Sequence, residues 1–589
     1  MCGILTYFTK GNVSANLLSD FIESLQLVSH RGPDASGLIL INTKNGQYKS
    51  FFGSKIEYLN VDLTKNYNMI IGHKRLKVID ISDNGAQPMN FGDYWITYNG
   101  EIYNYIEIKK ELIENGYTFK SSSDTEVILK AYDLWGMKCV EKFNGMWSFV
   151  IFNCEKEEIF VSNDSFGIKP LYYYNTKNDI IFGSELKQFK SFRSVDLSIN
   201  KRNIDVYLKI GVNPTDYSTY YNEVKKFPNG NNLAFDLSKA HNNFVFINYY
   251  NIHNITKKSI ELSDAKVELS DLLSKSVKIR MRSDVKIGSS ISGGIDSTLI
   301  LQYLNFFSKE KIPTFSSISP NMPGDESNFV NIVNNYFNVI PHYSFPLEEA
   351  NKSDYERFLN QLELGPKSMS FYAQWLISKL MRKNNVTINL VGQGADEIFG
   401  GYHTHFFRYF RFLILKGRII TYFKELNAYS ELKGIEAKKI HKIVLGDLMI
   451  LFSYKTGLKK IDSKYNFERL KIVDMIEIFK SDFTNYELPF FIHSDDRSSM
   501  GHSIETRHPF LDFNVVEFGL GLPDKFLFRK GWSKYILRSI ITDDLSAIKW
   551  RRDKKGFSVP HNLLKNKIFK NDLNELQYRK KCIDIILKN

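Results

Sequence analysis

Val285-Lys286-Ile287-Gly288-Ser289-Ser290-Ile291-Ser292-Gly293-Gly294-Ile295-Asp296-Ser297 decides how the back half of this chain folds. An apolar run at 285–291 meets a glycine-rich turn, and helical spacing of apolar residues follows over 297–307. A helical pattern at 265–281 precedes the stretch. Behind it come a strand at 314–318, a helix at 327–337, a helix at 371–382 and an apolar strand at 386–391. This succession predicts an α/β domain, a parallel sheet with helices on both faces. From Tyr402 onward the pattern is mostly helical and rich in aromatic residues.

From Cys2 to about Phe192 the texture differs. Short β-like runs at 4–8, 37–41, 69–73, 94–98, 147–152, 159–163 and 171–174 alternate with turn signals, and helical spacing is confined to 15–28 and 124–135. Many short strands with few helices imply stacked antiparallel sheets flanked by helices. The expected division is a front domain over 2–205, a connecting region rich in Asn, Tyr and Lys over 206–260, and a back domain over 261–589.

A length of 589 residues fits two or three domains, and 43% hydrophobic with 24% charged residues is ordinary for a folded globular chain. The net charge of +13 would suit nucleic acid, but the lysines are scattered and form no dense block, so no nucleic-acid partner is expected. Cys2, Cys139, Cys154 and Cys582 show neither paired spacing nor metal-ligand spacing with His. No signal peptide and no apolar stretch of about 20 residues appears, so no transmembrane segment and a cytoplasmic location are expected.

Cys2 follows the initiator Met directly. With Met1 removed it carries a thiol and an α-amine, and the amine, near 7.7–8, is among the few groups able to act as base at neutral pH. Then come His30-Arg31-Gly32-Pro33-Asp34, Gly72-His73-Lys74-Arg75-Leu76, Tyr98-Asn99-Gly100-Glu101-Ile102 and Ser123-Asp124-Thr125-Glu126, with Phe143-Asn144-Gly145 and Asp164–Tyr173 behind. In that order these motifs resemble the class II glutamine amidotransferase domain, an αββα sandwich of the N-terminal-nucleophile hydrolase type. The resemblance implies Cys2 as nucleophile and Arg75 on the glutamine carboxylate. It also implies Asp124 and Glu101 on its ammonium, and Asn99 with the Gly100 N–H as oxyanion hole. Taken alone, Asn99-Gly100 would read as a hairpin turn. The family usually has Arg where Asn163 stands.

Ser292–Ser297 lacks the Lys of the Gly-x-x-x-x-Gly-Lys-Ser/Thr phosphate loop. It resembles the pyrophosphate loop of AMP-forming ATP pyrophosphatases (adenine nucleotide α-hydrolase-like). That likeness implies ATP contacts from Ile291, Ser292, Gly293, Gly294, Asp296, Ser297, Ser317, Val391 and Gly392, with Asp296 and Asp396 as Mg²⁺ ligands. Gly392-Gln393-Gly394-Ala395-Asp396-Glu397, Asp495-Asp496-Arg497, Ser503–Arg507, Pro509–Asp512, Lys534–Arg538 and Lys554–Phe557 complete a likeness to glutamine-hydrolysing asparagine synthetases over the whole chain. Lys534 matches the cation that stabilises pentacoordinate phosphorus or departing pyrophosphate.

The likeness implies a ligase: glutamine supplies ammonia, ATP turns a carboxylate into an acyl-adenylate, and an internal tunnel keeps the ammonia unprotonated. The expected small-molecule partners are glutamine, ATP and a carboxylate acceptor, with homodimerisation left open. One departure touches the acceptor. Gln393 stands where the family usually carries Glu, and an amide is neither acid nor base near neutral pH. Two acceptors stay open: aspartate, giving asparagine, or another carboxylate such as a uronic acid sugar or peptidoglycan precursor of the cell envelope. A non-catalytic member of the family would need damaged loops, and Cys2, Arg75, Asn99, Asp124, Asp296 and Asp396 are all present.

Overall fold

The computed structural model describes all residues except 1, 55, 57–60, 215, 240–242, 456–470, 553–558, 571 and 589. The Lys554–Phe557 motif therefore lies outside the described residues.

The front half holds two antiparallel sheets. The first contains β1 (Gly3–Thr9), β2 (Ala35–Ile41), β3 (Tyr48–Gly53), β4 (Met69–Arg75), β9 (Tyr172–Asn175), β10 (Asp179–Gly183) and β11 (Val224–Lys226), in the order β11-β9-β10-β1-β4-β2-β3. The second contains β5 (Met89–Phe91), β6 (Tyr94–Ile102), β7 (Gly145–Asn153), β8 (Glu158–Asn163), β12 (Asn231–Asp236) and β13 (Ile247–Asn248), in the order β13-β12-β8-β7-β6-β5.

Strand alternation builds the layers. Ile4 and Phe8 of β1 meet Val150 and Phe152 of β7 between the sheets. Leu5 and Tyr7 face outward onto Phe21 and Leu25 of helix α1 (Ala15–Gln26). On the far side, Phe149 and Ile151 pack under Ile108 and Leu112 of α2 (Tyr105–Glu114) and Val127 and Ile128 of α3 (Asp124–Trp135). The result is an αββα sandwich. The stretch expected as a connection, 206–260, supplies β11, β12 and β13 to both sheets. β11 and β13 are edge strands of two or three residues, too short to show apolar alternation, and β12 beside β13 buries only Asn232 and Leu233 in full.

The back half is a parallel sheet of β14 (Ile287–Ser290), β15 (Ile312–Ser317), β16 (Val339–Ser344), β17 (Ile388–Leu390) and β18 (Glu505–Arg507), in the order β16-β15-β14-β17-β18. Helices α4 (Leu262–Arg280), α5 (Ile295–Phe307), α6 (Ser327–Tyr336) and α7 (Ser370–Lys383) come from this half. The two outer strands carried no clear sequence signal: β16 contains Pro341, and β18 has three residues. The helical remainder includes α8 (Ala395–Phe399), α9 (His403–Leu415), α10 (Ile419–Lys433), α11 (Ala437–Lys455) and α12 (Leu488–Met500).

One core runs through both halves. Leu76, Val78, Tyr103, Met146 and Phe166 of the front join the apolar cluster around Leu299, Leu390 and Phe510 of the back. A buried charge network crosses the same boundary. Arg31 donates to both oxygens of Asp496 at 2.8 and 2.9 Å and to Glu185 at 2.8 Å, while Arg497 pairs with Glu363 at 3.0 Å and Glu185 at 3.3 Å.

Candidate active sites

Cys2 sits just before β1, beside the ends of β4 and β6, and is 8% exposed. Its backbone is gripped on both sides: its N–H donates to Asn99 Oδ1 at 3.0 Å, and its carbonyl accepts from Arg31 Nε at 3.0 Å. Burial pushes the thiol up, opposed by the Leu76 N–H and the Arg75 charge. His73 is no partner for the thiol. Burial lowers it to about 3, so it is neutral, and its Nε2 faces the Tyr98 carbonyl at 3.1 Å.

Asn99 lies inside β6, paired across to Ser148, so Asn99-Gly100 is not a hairpin turn. With its Oδ1 committed to Cys2, the buried Nδ2 has no hydrogen-bond acceptor among the described residues. An unmet donor in a buried place costs roughly 1–3 kcal/mol, and an incoming oxyanion would satisfy it. Gly100 has φ 156, and a Cβ there would overlap the Met146 carbonyl oxygen, so only glycine lets β6 and β7 approach so closely.

Arg75 ends β4. Its guanidinium donates to the carbonyls of Ser82, at 2.7 Å, and Asp80, and makes no ion pair with a described residue. Gly85 leaves the room it occupies. Neutral carbonyls thus fix the group while its charge stays open to an anion. Asp124, the first residue of α3, accepts from the Tyr98 hydroxyl at 2.8 Å and the Ile102 N–H at 2.9 Å; burial raises it to about 6 against those bonds. Glu101 is buried and held well above the usual carboxylate range by burial, with Glu505 and Asp124 adding to it and Arg507 opposing. Its Oε2 is 3.8 Å from Arg507 of β18, across the domain boundary. Sulfur, amide donor, guanidinium and two carboxyl groups thus lie close together, a set whose chemistry suits an amide-bearing amino acid.

Asn163, the departure noted in the sequence, uses its amide as a brace. Its Nδ2 donates to the carbonyls of Trp147 at 3.0 Å and Lys169 at 2.7 Å, inside the loop that Asp164 closes with bonds from Phe166, Ile168 and Lys169 N–H.

The second site lies at the carboxyl ends of β14 and β17, where ligands gather in open α/β sheets. A cavity of about 280 Å³ there is lined by Ile291, Ser292, Asp296, Ser297, Val391, Gly392, Gln393 and Asp396. Gly293, at φ 62, and Gly392 are needed for packing: a Cβ on the first would sit 2.6 Å from Phe329 Cβ, and on the second 2.6 Å from the Ser297 nitrogen. Gly293, Gly294 and Ser317 stand outside that lining. The Ser317 hydroxyl at the end of β15 is buried without a hydrogen-bond partner among the described residues.

Lys534, held at φ 52, places Nζ 2.8 Å from both oxygens of Asp296 and also on Asp396. Two carboxylates from separate loops therefore converge on one cation. Hard oxygen donors of this kind suit Mg²⁺, with phosphate oxygens and water completing its shell. Among the described residues no group of three or more His, Cys, Asp or Glu forms a metal cage of its own. Behind Asp396 a second cavity of about 200 Å³ is lined by Lys534, Arg538, Arg551 and Arg552, a place for phosphate charge.

Sequence reasoning missed several lining residues. Ser368, Ser370, Phe371, Gln374 and Phe491 share the first cavity. They come from α7, the loop before it and α12, and no motif marks them. Gln374 donates to Asp495, which accepts from His508 Nε2 at 2.8 Å. Glu397 is pushed up to about 8 by burial, with Asp396 adding to it, and accepts from the Tyr402 hydroxyl at 2.6 Å.

Comparison with known proteins agrees with the two-part layout. Residues 60–249 match a glutamine amidotransferase domain, and residues 268–581 match asparagine synthase. A Methanocaldococcus jannaschii protein with the provisional name asparagine synthetase 2 (glutamine-hydrolyzing) is 33% identical over 464 residues, 73% of this chain and 83% of that relative. Asparagine synthetase 1 (glutamine-hydrolyzing) of Bacillus subtilis is 28% identical over 615 residues, 96% of this chain and 88% of that relative. Among the described residues no helix is long and apolar enough to cross a membrane.

Proposed function

The chain belongs to the asparagine synthase family, ligases that take nitrogen from glutamine, and on that premise we propose that it amidates aspartate through an acyl-adenylate. The front-half steps follow from the groups around Cys2. With Met1 removed, the Cys2 α-amine takes the thiol proton as sulfur attacks the glutamine amide carbon. Asn99 Nδ2 and the Gly100 N–H receive the oxyanion. Ammonia leaves, and water cleaves the thioester to glutamate. Arg75 holds the substrate carboxylate, and Asp124 with Glu101 holds its ammonium.

In the back half the acceptor carboxylate attacks the α-phosphorus of ATP and pyrophosphate departs. Ser292, Ser297 and the start of α5 bind phosphate oxygens, while Lys534 neutralises charge on the departing group. Asp296 and Asp396 would hold Mg²⁺, which supplies charge neutralisation when bound. Ammonia then attacks the acyl-adenylate carbonyl, giving the amide and AMP. The two chemistries need an enclosed route that keeps the ammonia uncharged between the halves.

The observation that carries this reading is the Asn99 amide, tied to Cys2 at its oxygen and unmet at its nitrogen. Its test is Cys2→Ala, which should abolish amide formation from glutamine and spare formation from an ammonium salt. A second acceptor reading has its own support. Free aspartate presents two charges besides the reacting carboxylate, whereas the cavity adds neutral groups: Ser368, Ser370, Gln374 and Gln393, with the rings of Phe371 and Phe491 5.7 Å apart. Amides, hydroxyls and aromatic faces also suit the ring of a uronic acid sugar. A screen of carboxylates for glutamine-dependent release of AMP and pyrophosphate separates the two. Aspartate as best acceptor establishes the first reading; a sugar acid with aspartate inert establishes the second.

A further inference from the structure

Helices α10 and α11 are joined by the short turn 434–436 and lie on the surface of the helical part. Phe423 of the first packs against His441 of the second, ring centroids 6.2 Å apart. The pair meets its core with one stripe of α11, Ile440, Val444 and Leu451, all buried. α10 adds the buried Tyr422, Leu426 and Tyr429 to that core, and beyond these the two helices carry a second apolar set. Ile420 is 75% exposed and Met449 69%, with Phe423, Ile443, Leu445 and Ile450 exposed beside them. Helical spacing puts Lys439, Lys442, Ile443, Met449 and Ile450 on a single face.

Charge selects the occupant. Over 416–450 the exposed cations are Lys416, Arg418, Lys424, Lys438, Lys439 and Lys442, against only two exposed carboxylates, Glu431 and Glu436. Arg418 is paired with Asp524 at 3.1 Å and Lys439 with Glu436 at 3.5 Å. A second copy docking by two-fold symmetry would set this positive excess against itself. Nucleic acid would meet the lysines but leaves protruding Ile and Met side chains without a complement. An anionic lipid surface answers both: acyl-chain boundary for the aliphatic groups and phosphate for the ammonium groups.

We propose that the α10–α11 hairpin docks this enzyme on the surface of an anionic bilayer. The attachment lies in the interface plane, without a membrane-crossing helix, and is independent of which carboxylate is amidated.

The full-length protein is sedimented with vesicles of phosphatidylcholine alone and of phosphatidylcholine with one third phosphatidylglycerol. Partition onto the anionic vesicles should exceed that onto neutral ones by about tenfold and collapse in about 0.5 M salt. The double variant Ile443→Glu/Met449→Glu should stay in the supernatant while its glutamine-dependent synthesis and thermal unfolding match the parent. Equal sedimentation of parent and variant, or no sedimentation of either, overturns the proposal. So does a vesicle-blind parent that scatters light as a dimer and becomes a monomer in the variant, or one whose lysines retain DNA instead.

Discussion

The side chain of Asn99 is tied at its oxygen and unmet at its nitrogen, and this asymmetry fixes its chemistry. Asn99→Ala removes the buried donor that a tetrahedral intermediate needs, so glutamine hydrolysis should fall by ~10²–10³. Ammonium-dependent synthesis should be unchanged, because the second site does not touch Asn99; steady-state assays with each nitrogen source check both statements. Asp124 sets a pH limit. Burial raises it to about 6, so it takes up a proton as pH falls through that value and stops complementing an ammonium. kcat/KM for glutamine should fall about tenfold per unit below the α-amine's value near 7.7–8, and the slope should steepen toward a hundredfold per unit well below pH 6, where Asp124 also takes up its proton. A slope that stays about tenfold per unit well below pH 6 would count against Asp124 as the ammonium ligand. Its effect on stability runs the other way: a raised carboxyl favours the fold below its unfolded value, and that benefit is lost as pH rises through about 6.

At the scale of elements, the β17 loop and the start of α5 meet at the proposed ATP site. Gly392 lies where a Cβ would strike the Ser297 nitrogen at 2.6 Å, so the β17 loop and the start of α5 touch backbone to backbone. Gly392→Ala should cut ATP-dependent AMP formation at least tenfold by displacing that phosphate loop, with glutaminase activity intact, as assayed by pyrophosphate release. Much of this arrangement was legible in the sequence. Apolar runs flanked by Gly-rich turns marked β14 and β17, and motif order pointed to Cys2, Arg75 and Asp124. The Asn99-Gly100 pair, a turn signal when read alone, is assigned to the oxyanion hole on its neighbouring motifs, and the pairing of β6 with β7 places it inside a strand. What escaped notice has physical reasons. Strands β11 and β13 are edge strands of two or three residues, too short to show alternation, and β12 between β13 and β8 buries the polar Asn232 beside Leu233. Phe371, Gln374 and Phe491 reach their cavity from helices whose apolar spacing reads as ordinary packing.

For the whole molecule, the charge network between the halves is the feature to test. Arg31 holds the Cys2 carbonyl with one nitrogen and Asp496 with the others. Arg31→Met would leave Asp496 and Glu185 to share Arg497 in a buried place, a loss of up to about 3–5 kcal/mol by denaturant unfolding. Burial opposes the charge on Asp496, yet Arg31 and Arg497 hold the carboxyl down at about 2. A lowered carboxyl stabilises the fold above its unfolded value near 3.8, and that contribution disappears as pH falls from there toward 2. Arg31→Met should therefore flatten the acid limb of the stability profile over that window.

The central claim is that nitrogen freed by the terminal sulfur is captured at the distant adenylating site. Cys2→Ala, supplied with ATP, the best acceptor and either glutamine or an ammonium salt, tests it most directly by measuring amide product. The account predicts no product from glutamine and parent-level product from ammonium. Product from glutamine at the parent rate, or loss of both activities in a variant that unfolds like the parent, would contradict it.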